Sequence, residues 1–229
     1  MGHESAPLEF TPHAFYGWQN RFDDPRHEYR TIYAAEERIT AIREVVQDLR
    51  PNTRVQAELR ALGAKEGEFV VAGSVPWKWR LERVLAPANL ITTDEVIDLT
   101  DPGVRASLEG EHAELLNRYG MKHLDVSDIT SKTRIVTQTL SRSLFESGAS
   151  GIRFPSNTDN RPCVVLFESR GSLTANGPTE SLSGPVPELL TVCSEWELVL
   201  REHDLPGYAV RAENRRSRVK SWLLRFLGR

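Results

Sequence analysis

The chain has 229 residues and a net charge of −3, from 29 lysines and arginines against 32 aspartates and glutamates. Hydrophobic residues make up 39% and charged residues 27%, which is an ordinary balance for a globular domain. A chain of this length buries a full core without disulfides or metal. Its negative net charge excludes a global basic field that would recruit nucleic acid.

Two cysteines, Cys163 and Cys193, cannot build a disulfide framework and fit a reducing compartment. The first ten residues contain neither a basic nor an apolar segment, so they do not form a secretory signal. No apolar run approaches the ~18 residues of a membrane span. We therefore expect a soluble, cytoplasmic protein, with a loose arm at residues 1–11, one main domain at residues 12–205 and a tail at residues 206–229.

Residue periodicity predicts a strand followed by a helix in the first quarter of the chain. Residues 29–34 are β-prone, with three tyrosine or threonine side chains on one face. The following helix begins at Glu36 and ends near Arg50, because Pro51 disfavours a helical residue before it. Its apolar positions are Ile39, Ile42, Val45, Val46 and Leu49.

The middle of the chain is predicted to form two strands and a helix. Residues 75–81 alternate between large apolar and polar side chains, which indicates a strand, and a proline at the second position places it at an edge or start. Residues 89–99 are predicted to form a strand and a turn. Asp101 then caps a polar helix that runs towards Tyr119, with Pro102 at its first position.

The later part of the chain is predicted to contain two helices and two strands. Residues 129–146 have helical spacing and a glycine at their exit. Residues 152–154 and 163–167 are short strands, of which the second is buried. Residues 170–187 are rich in Gly, Ser, Thr and Pro and form a loop, and residues 187–203 form a further helix. Since strands and helices do not alternate strictly, this order favours an α+β fold over a doubly wound parallel sheet.

The C-terminal tail is basic and amphipathic, with one acidic residue, Glu213. Its apolar side chains recur at helical spacing, which predicts a basic amphipathic helix. Such a helix can bind a partner protein, an anionic lipid surface or nucleic acid, or it can dock on its own domain with its arginines outward. Its basic residues are Arg211, Arg215, Arg216, Arg218, Lys220, Arg225 and Arg229, and its apolar stripe is Val219, Trp222, Leu223, Phe226 and Leu227.

Common catalytic motifs are absent from the chain. It has no Gly-x-Gly-x-x-Gly segment, no Gly-Lys-Ser/Thr phosphate loop, no His-Glu-x-x-His and no Gly-x-Ser-x-Gly. The six histidines do not cluster with the cysteines at metal-ligand spacing, so we expect no metal site. Cys163, within an apolar strand, is expected to be a buried and inert thiol.

Two charged side chains are candidates for chemistry. Arg21 lies between aromatic residues in a turn-rich segment, where an arginine can hold a phosphate or carboxylate bidentately. Alternatively, it pairs with Asp23 or Asp24 at the surface. Glu44 lies nearly opposite the apolar stripe of its helix, so it faces either solvent or a cleft over that polar face.

Two uncharged side chains complete the candidate set. Tyr33 is either a ring that stacks on a ligand beside a site or a half-buried strand tyrosine. Ser156 follows Pro155 at the end of a strand, where site residues are common, although a serine that opens a turn is equally common. Residue spacing alone leaves both alternatives open.

Two distant segments together resemble the RES-domain family, which is named for an arginine, a glutamate and a serine. The Gly17-Trp18-Gln19-Asn20-Arg21-Phe22 segment is similar to the family's opening motif, and the Thr31-Ile32-Tyr33-Ala34-Ala35 segment to its tyrosine-bearing strand. Glu44 lies where the family has its glutamate. The Gly148-to-Ser156 segment and the strand ending in Phe167-Glu168 are similar to its serine motif. The resemblance covers roughly residues 12–170 and makes Arg21, Glu44 and Ser156 the candidate catalytic residues.

This resemblance implies a fold like that of ADP-ribosyltransferases, with a small mixed or antiparallel β core flanked by helices. It also implies an enzyme that consumes NAD by phosphorolysis or hydrolysis, as a toxin restrained by an antitoxin protein. NAD is then a substrate rather than a cofactor, and inorganic phosphate is a candidate co-substrate. Arg21, Tyr33 and Ser156 are the implied NAD-binding residues.

Two other functions stay open at this stage. One is a protein ADP-ribosyltransferase, which uses the same NAD site but transfers the ADP-ribose to a protein. The other is a non-catalytic nucleotide-binding or interaction module, with the basic tail as its working part. The sequence also leaves a homo-oligomer open.

Overall fold

The computed structural model describes residues 2–3, 6–51, 54, 57–58, 61–63, 73–131 and 133–202. The helices are α1 (Arg38–Val46), α2 (Trp77–Leu81), α3 (Pro102–Glu111), α4 (Ala113–Arg118), α5 (Val126–Thr130), α6 (Arg134–Glu146) and α7 (Pro187–Glu195). The strands are β1 (Gly2–His3), β2 (Thr31–Ala35), β3 (Ser74–Val75), β4 (Arg83–Leu85), β5 (Ala88–Thr92), β6 (Val96–Asp98), β7 (Gly151–Pro155), β8 (Pro162–Phe167), β9 (Gly171–Ala175), β10 (Glu180–Ser181) and β11 (Val199–Leu200).

The largest described sheet has four strands in the order β2-β8-β7-β6. The β2–β8 and β8–β7 pairs are antiparallel, whereas β7 and β6 run parallel. Smaller sheets pair β4 with β1 and β10, β5 with β9, and β3 with β11. Helices and strands that are mixed along the chain, with largely antiparallel pairing, confirm the predicted α+β class.

Two apolar clusters hold the helices against the sheets. In the larger cluster, Leu140 of α6 is fully buried with Ile152 and Val165 of the main sheet. In the smaller cluster, Ile42 of α1 is fully buried with Val192 of α7 and other side chains. The apolar stripe of α1 packs into the smaller cluster. Its polar face contacts the turn between β7 and β8.

Several predicted elements are confirmed. Helix α1 continues into a 3-10 turn at Gln47–Leu49 and ends before Pro51. Asp101 caps α3 through its carboxylate, which accepts hydrogen bonds from the Gly103 and Val104 amides. Helix α6 ends at Glu146, and Gly148 follows its C-cap with a φ of 105°, a left-handed conformation that favours glycine. Strand β8 is buried over most of its length, as predicted.

The prediction of a strand over residues 75–81 is wrong. Strand β3 ends at Val75, and residues 77–81 form the short helix α2. Pro76 occupies the N-cap of this helix, where its missing amide hydrogen costs nothing. Over five residues, alternation does not distinguish a strand from one turn of helix, and Trp79 packs into the smaller cluster from α2.

The prediction of a loop over residues 170–187 is also wrong in part, because β9 and β10 lie within it. Strand β9 pairs with β5 and is exposed at several positions. Its small and polar residues give it a composition that is typical of a loop. The predicted helix from residue 187 ends at Glu195, and residues 199–200 form β11.

Two predicted helices are each divided in two. The polar helix after Asp101 breaks at His112 into α3 and α4. The helix predicted from residue 129 divides into α5 and α6, and Ser131 between them has an extended backbone. The Ser131 hydroxyl accepts a hydrogen bond from the Thr133 amide, a turn that competes with helix continuation.

The two ends of the chain are described unequally. Residues 2–3 pair with Arg83 and Val84, whereas we expected a loose arm there. The predicted tail at residues 206–229 lies outside the described residues, and the domain boundaries at residues 12 and 205 stay predictions. Within the described ranges, no helix has both the length and the apolarity needed to cross a membrane.

Candidate functional site

Glu44 and Ser156 meet directly, although 112 residues separate them in the chain. The Ser156 hydroxyl donates to Glu44 Oε1 at 2.5 Å, and the Asn157 amide donates to the same oxygen at 3.1 Å. The Gln47 side chain donates to Glu44 Oε2 at 3.2 Å. Hydrogen bonds to both oxygens fix the orientation of the half-buried carboxylate.

Ser156 is fully buried, with 0% of its surface exposed. Its hydroxyl oxygen accepts a hydrogen bond from the Thr158 amide at 3.0 Å while its hydrogen is donated to Glu44. Its own amide donates to the Arg161 carbonyl at 2.7 Å. The hydroxyl is therefore already engaged as both donor and acceptor within the protein.

Asp159 fastens the polar face of α1 to the turn between β7 and β8. Its Oδ2 accepts from the Thr40 hydroxyl at 2.9 Å and from Arg43 Nη1 at 3.0 Å. Burial alone would raise the pKa of Asp159, but hydrogen bonds from the Arg161 amide and from Arg43 outweigh it and hold the pKa below its usual value. These bonds hold α1, the helix that carries Glu44, next to Ser156.

Arg21 is half-buried and lies over an aromatic ring. Its guanidinium carbon is 6.0 Å from the ring centroid of Phe154, the residue two positions before Ser156. No carboxylate of the described residues lies within 4.0 Å of Arg21. Burial lowers the pKa of the Arg21 guanidinium, and the negative charge of Glu44 opposes that shift.

The surface alternative, in which Arg21 pairs with Asp23 or Asp24, is wrong. Asp23 is fully buried and accepts hydrogen bonds from the hydroxyls of Tyr16 at 2.7 Å and Thr31 at 2.8 Å. Asp24 is also fully buried, and its oxygens accept from backbone amides and from a different arginine. Both aspartates hold the loop around Arg21 in place through these hydrogen bonds. Neither forms an ion pair with Arg21.

Two nearby arginines have carboxylate partners. Arg26 lies 3.2 Å from Glu146, and Arg30 donates its Nε to Glu168 at 2.9 Å. Among the three arginines at positions 21, 26 and 30, Arg21 is thus the one without an acidic partner in the described part of the chain. A partly desolvated guanidinium without an acidic partner can bind an anionic ligand.

Tyr33 joins the strand β2 to the Arg21 loop. Its hydroxyl oxygen accepts a hydrogen bond from the Phe22 amide at 2.9 Å, and its ring lies edge-on to Phe154 with the centroids 6.2 Å apart. Burial and the charge of Asp23 raise the pKa of Tyr33 well above its usual value, so the phenol stays protonated.

The four predicted site residues therefore converge at the end of β7. Arg21 and Tyr33 share contact with Phe154, and Glu44 bonds to Ser156 just beyond it. Phe154 and Asp159 were not predicted from the sequence to belong to the site. Helical spacing could have indicated that Thr40 and Arg43 lie near Glu44, because all three are polar residues within two turns of α1.

Cys163 of β8 lies beneath this region. It is buried, and burial, with a smaller effect from the charge of Glu44, raises the pKa of its thiol to about 12. The predicted burial of the Cys163 thiol is confirmed, and its raised pKa disfavours the reactive thiolate near neutral pH. Among the described residues, no group of three or more His, Cys, Asp and Glu side chains is arranged to hold a metal ion.

Comparison with known protein families identifies the family to which this chain belongs. The RES domain model matches residues 2–183, and the chain therefore belongs to the RES-domain family. No curated protein sequence matches the chain significantly. Among solved structures, the chain is similar to one described as a crystal structure of the M. tuberculosis MbcT–MbcA toxin–antitoxin complex. The identity is 15%, the match covers 81% of this chain and 80% of that one, and the TM-score is 0.43.

Proposed function

We propose that the chain is an NAD-consuming enzyme that cleaves the bond between nicotinamide and ribose, and that it acts as a toxin restrained by an antitoxin. The observation that carries the proposal is the bond between Glu44 and Ser156, formed beside the unpaired Arg21 in a chain of the RES-domain family. In this proposal, Arg21, Glu44 and Ser156 are the arginine, glutamate and serine for which the family is named, and they form one site. An ADP-ribosyltransferase-like arrangement of the fold is part of this proposal.

The proposed step breaks the bond between the ribose C1′ atom and the nicotinamide nitrogen. The electron pair of that bond leaves with nicotinamide, whose ring becomes neutral, and the ribose acquires oxocarbenium character. An oxygen of inorganic phosphate or of water then bonds to C1′. Water attack releases one proton, whereas attack by phosphate yields a sugar 1-phosphate.

Glu44 is the residue that stabilises the developing positive charge in this proposal. A fixed carboxylate at a partly desolvated site stabilises a nearby cation more than it would in water. Two hydrogen bonds to Oε1 hold it in position before substrate arrives, so little reorganisation is needed. Ser156 acts through Glu44 as a positioning residue, because its hydroxyl is engaged and its surface is buried.

Arg21 and Tyr33 bind the substrate in this proposal. The Arg21 guanidinium holds a phosphate of NAD or the incoming inorganic phosphate, with two parallel hydrogen bonds. The Tyr33 ring stacks on the nicotinamide, and its hydroxyl, bonded to the Phe22 amide, links that ring to the Arg21 loop.

We propose that the protein acts in the cytoplasm, where NAD is available and free thiols are stable. NAD is an intracellular cofactor, and both cysteines, Cys163 and Cys193, are free in the structure. An antitoxin protein is the proposed partner. Expression of the chain alone should arrest growth, and Glu44→Gln should relieve that arrest.

The decisive test is NAD consumption by the purified protein, with and without inorganic phosphate. Glu44→Gln removes the charge but keeps an oxygen acceptor for Ser156 and Asn157, so it should abolish turnover without unfolding the site. Arg21→Ala should also abolish turnover, whereas Arg26→Ala, a neighbouring arginine paired with Glu146, should not. Label recovered on protein instead would identify an ADP-ribosyltransferase. No NAD loss from folded, partner-free protein would sink the proposal.

A further inference from the structure

Four consecutive backbone carbonyls around Arg21 accept hydrogen bonds from one helix. The Gln19 carbonyl accepts from Arg134, and the next three carbonyls accept from side chains further along α6. These three bonds join Gln138 Nε2 to Asn20 O at 2.9 Å, Thr137 Oγ1 to Arg21 O at 2.7 Å, and Ser141 Oγ to Phe22 O at 2.7 Å. We call the four donors Arg134, Thr137, Gln138 and Ser141 the carbonyl clamp.

The clamp residues form one polar stripe along α6. Positions 134, 137, 138 and 141 are spaced as i, i+3, i+4 and i+7, which places them on a single helix face. Thr137 and Ser141 are fully buried, beside the apolar stripe that covers the main sheet. Buried hydroxyls in a helix cost stability unless they are bonded, and here both bond to the Arg21 loop.

The same loop is held from its other side by backbone amides. The Phe22 amide donates to Tyr33, and the Asn20 amide donates to Asp23 Oδ2 at 2.6 Å. The residues before and after Arg21 are thus fixed through both their amide and carbonyl groups. The carbonyl of Arg21 itself accepts from Thr137, so the backbone is fixed at the point where the Arg21 side chain leaves it.

We propose that Thr137 and the other clamp residues are positioning residues for Arg21, which hold its backbone so that the guanidinium is directed over Phe154 before an anion binds. This inference rests on the proposed role of Arg21 in binding a phosphate of NAD. A loop ordered in advance loses less conformational entropy on binding, so the clamp strengthens affinity without touching the ligand. Thr137 is the central member, because it bonds to Arg21 itself.

The test compares three threonine variants, with NAD affinity measured by calorimetry in a Glu44→Gln background that does not consume NAD. Thr137→Val keeps the shape but removes the donor, and it should weaken NAD binding by about three- to tenfold, because the Arg21 loop must then be ordered when NAD binds. Thr137→Ser keeps the hydroxyl and should restore most of the affinity. Thr139→Val is the matched control, because the Thr139 hydroxyl bonds to Ile135 within the same helix.

A double-mutant cycle separates positioning from a general structural effect. In an Arg21→Ala background, Thr137→Val should change NAD affinity less than twofold, because the residue through which it acts is gone. An equal loss of affinity with and without Arg21 would overturn the proposal. So would equal affinities of Thr137→Val and Thr139→Val in the presence of Arg21.

Amide hydrogen exchange tests the clamp without relying on NAD. Thr137→Val should increase exchange in residues 19–24 relative to Thr139→Val, because the loop has lost a tie to α6. Unchanged exchange in that segment would overturn the clamp even if NAD binds. If the unaltered protein neither binds nor consumes NAD, the proposed function fails, and faster exchange in Thr137→Val would still support the clamp as a loop-ordering device.

Discussion

Replacement of Ser156 by alanine should lower both stability and catalytic rate, while leaving the KM for NAD nearly unchanged. The substitution removes the hydroxyl that donates to Glu44 Oε1 and accepts from the Thr158 amide. A hydrogen bond to a charged group contributes about 1.5–3 kcal/mol. We therefore expect the free energy of unfolding to fall by about 2 kcal/mol, which lowers Tm by about 4–8 °C for a chain of this size.

The expected effect of Ser156→Ala on the rate of NAD turnover follows from the burial of the Ser156 side chain. Since Ser156 is fully buried, we expect it to make no direct contact with the substrate, and its loss to act through the orientation of Glu44. Misorientation of a group that acts in the transition state lowers kcat and kcat/KM together. We expect a decrease in kcat of about 10- to 100-fold, by analogy with loss of one fixed electrostatic contact.

The assay combines urea unfolding with steady-state NAD turnover. Ser147→Ala is the matched control, because the Ser147 hydroxyl makes only a local bond to the Leu144 carbonyl at 2.9 Å. That variant should behave like the unaltered protein. A tenfold rise in KM for Ser156→Ala with kcat unchanged would refute the reasoning, because it would mean that Ser156 contacts NAD directly.

Three further predictions concern buried or paired groups. Asp23→Asn should lower the free energy of unfolding by about 2–4 kcal/mol in urea, because its amide places a donor against groups that already donate to Asp23. The Arg30 guanidinium lowers the pKa of Glu168 below its usual value, so the pair stabilises the fold above about pH 4.5 and loses this effect as the pH falls through the folded-state pKa. Glu168→Gln should therefore be less stable than the unaltered protein at pH 7, and the difference in stability should shrink as the pH falls below about 4.5. Burial raises the thiol pKa values to about 12 for Cys163 and about 11 for Cys193, so neither should react with a disulfide reagent at pH 8 until the protein unfolds.

Each of these predictions has a clear contrary outcome. An Asp23→Asn protein as stable as the original would mean that the hydrogen bonds of the loop contribute nothing. A Glu168→Gln deficit in stability that does not shrink as the pH falls below about 4.5 would show that the Arg30 pair is not its cause. Rapid modification of either thiol in folded protein would contradict their burial.

Local periodicity predicted the helix that carries Glu44 and the side of that helix on which Glu44 lies. Five apolar positions defined the stripe of α1, and the structure places two of them, Ile42 and Val46, fully buried in the smaller cluster. The placement of Glu44 away from this stripe followed from helix geometry. What covers that polar face was not predictable, because Asp159 and Ser156 come from a turn more than 100 residues later.

Short elements were predicted less well, for a physical reason. Over residues 77–81, alternating tryptophans satisfy both a strand and a single helical turn, and the contact of Trp79 with the smaller cluster decides between them. Strand β9 owes its form to pairing with β5 rather than to an apolar face of its own. In both cases tertiary contacts override the local pattern.

The candidate site depended on a family resemblance as much as on residue patterns. On spacing alone, an arginine beside two aspartates favoured a surface ion pair, yet the structure shows Asp23 and Asp24 bonded elsewhere. The carbonyl clamp has no sequence motif, since threonine, glutamine and serine on a helix usually indicate solvent exposure. Its function becomes visible only when α6 is placed against the Arg21 loop.

We propose that this site cleaves NAD between nicotinamide and ribose with Glu44 as the essential carboxylate. The most direct test is release of free nicotinamide from ring-labelled NAD by purified, partner-free protein and by its Glu44→Gln variant. We expect steady release by the unaltered protein and none above background by a folded Glu44→Gln variant. Equal release by both proteins, or no release by either, would contradict it.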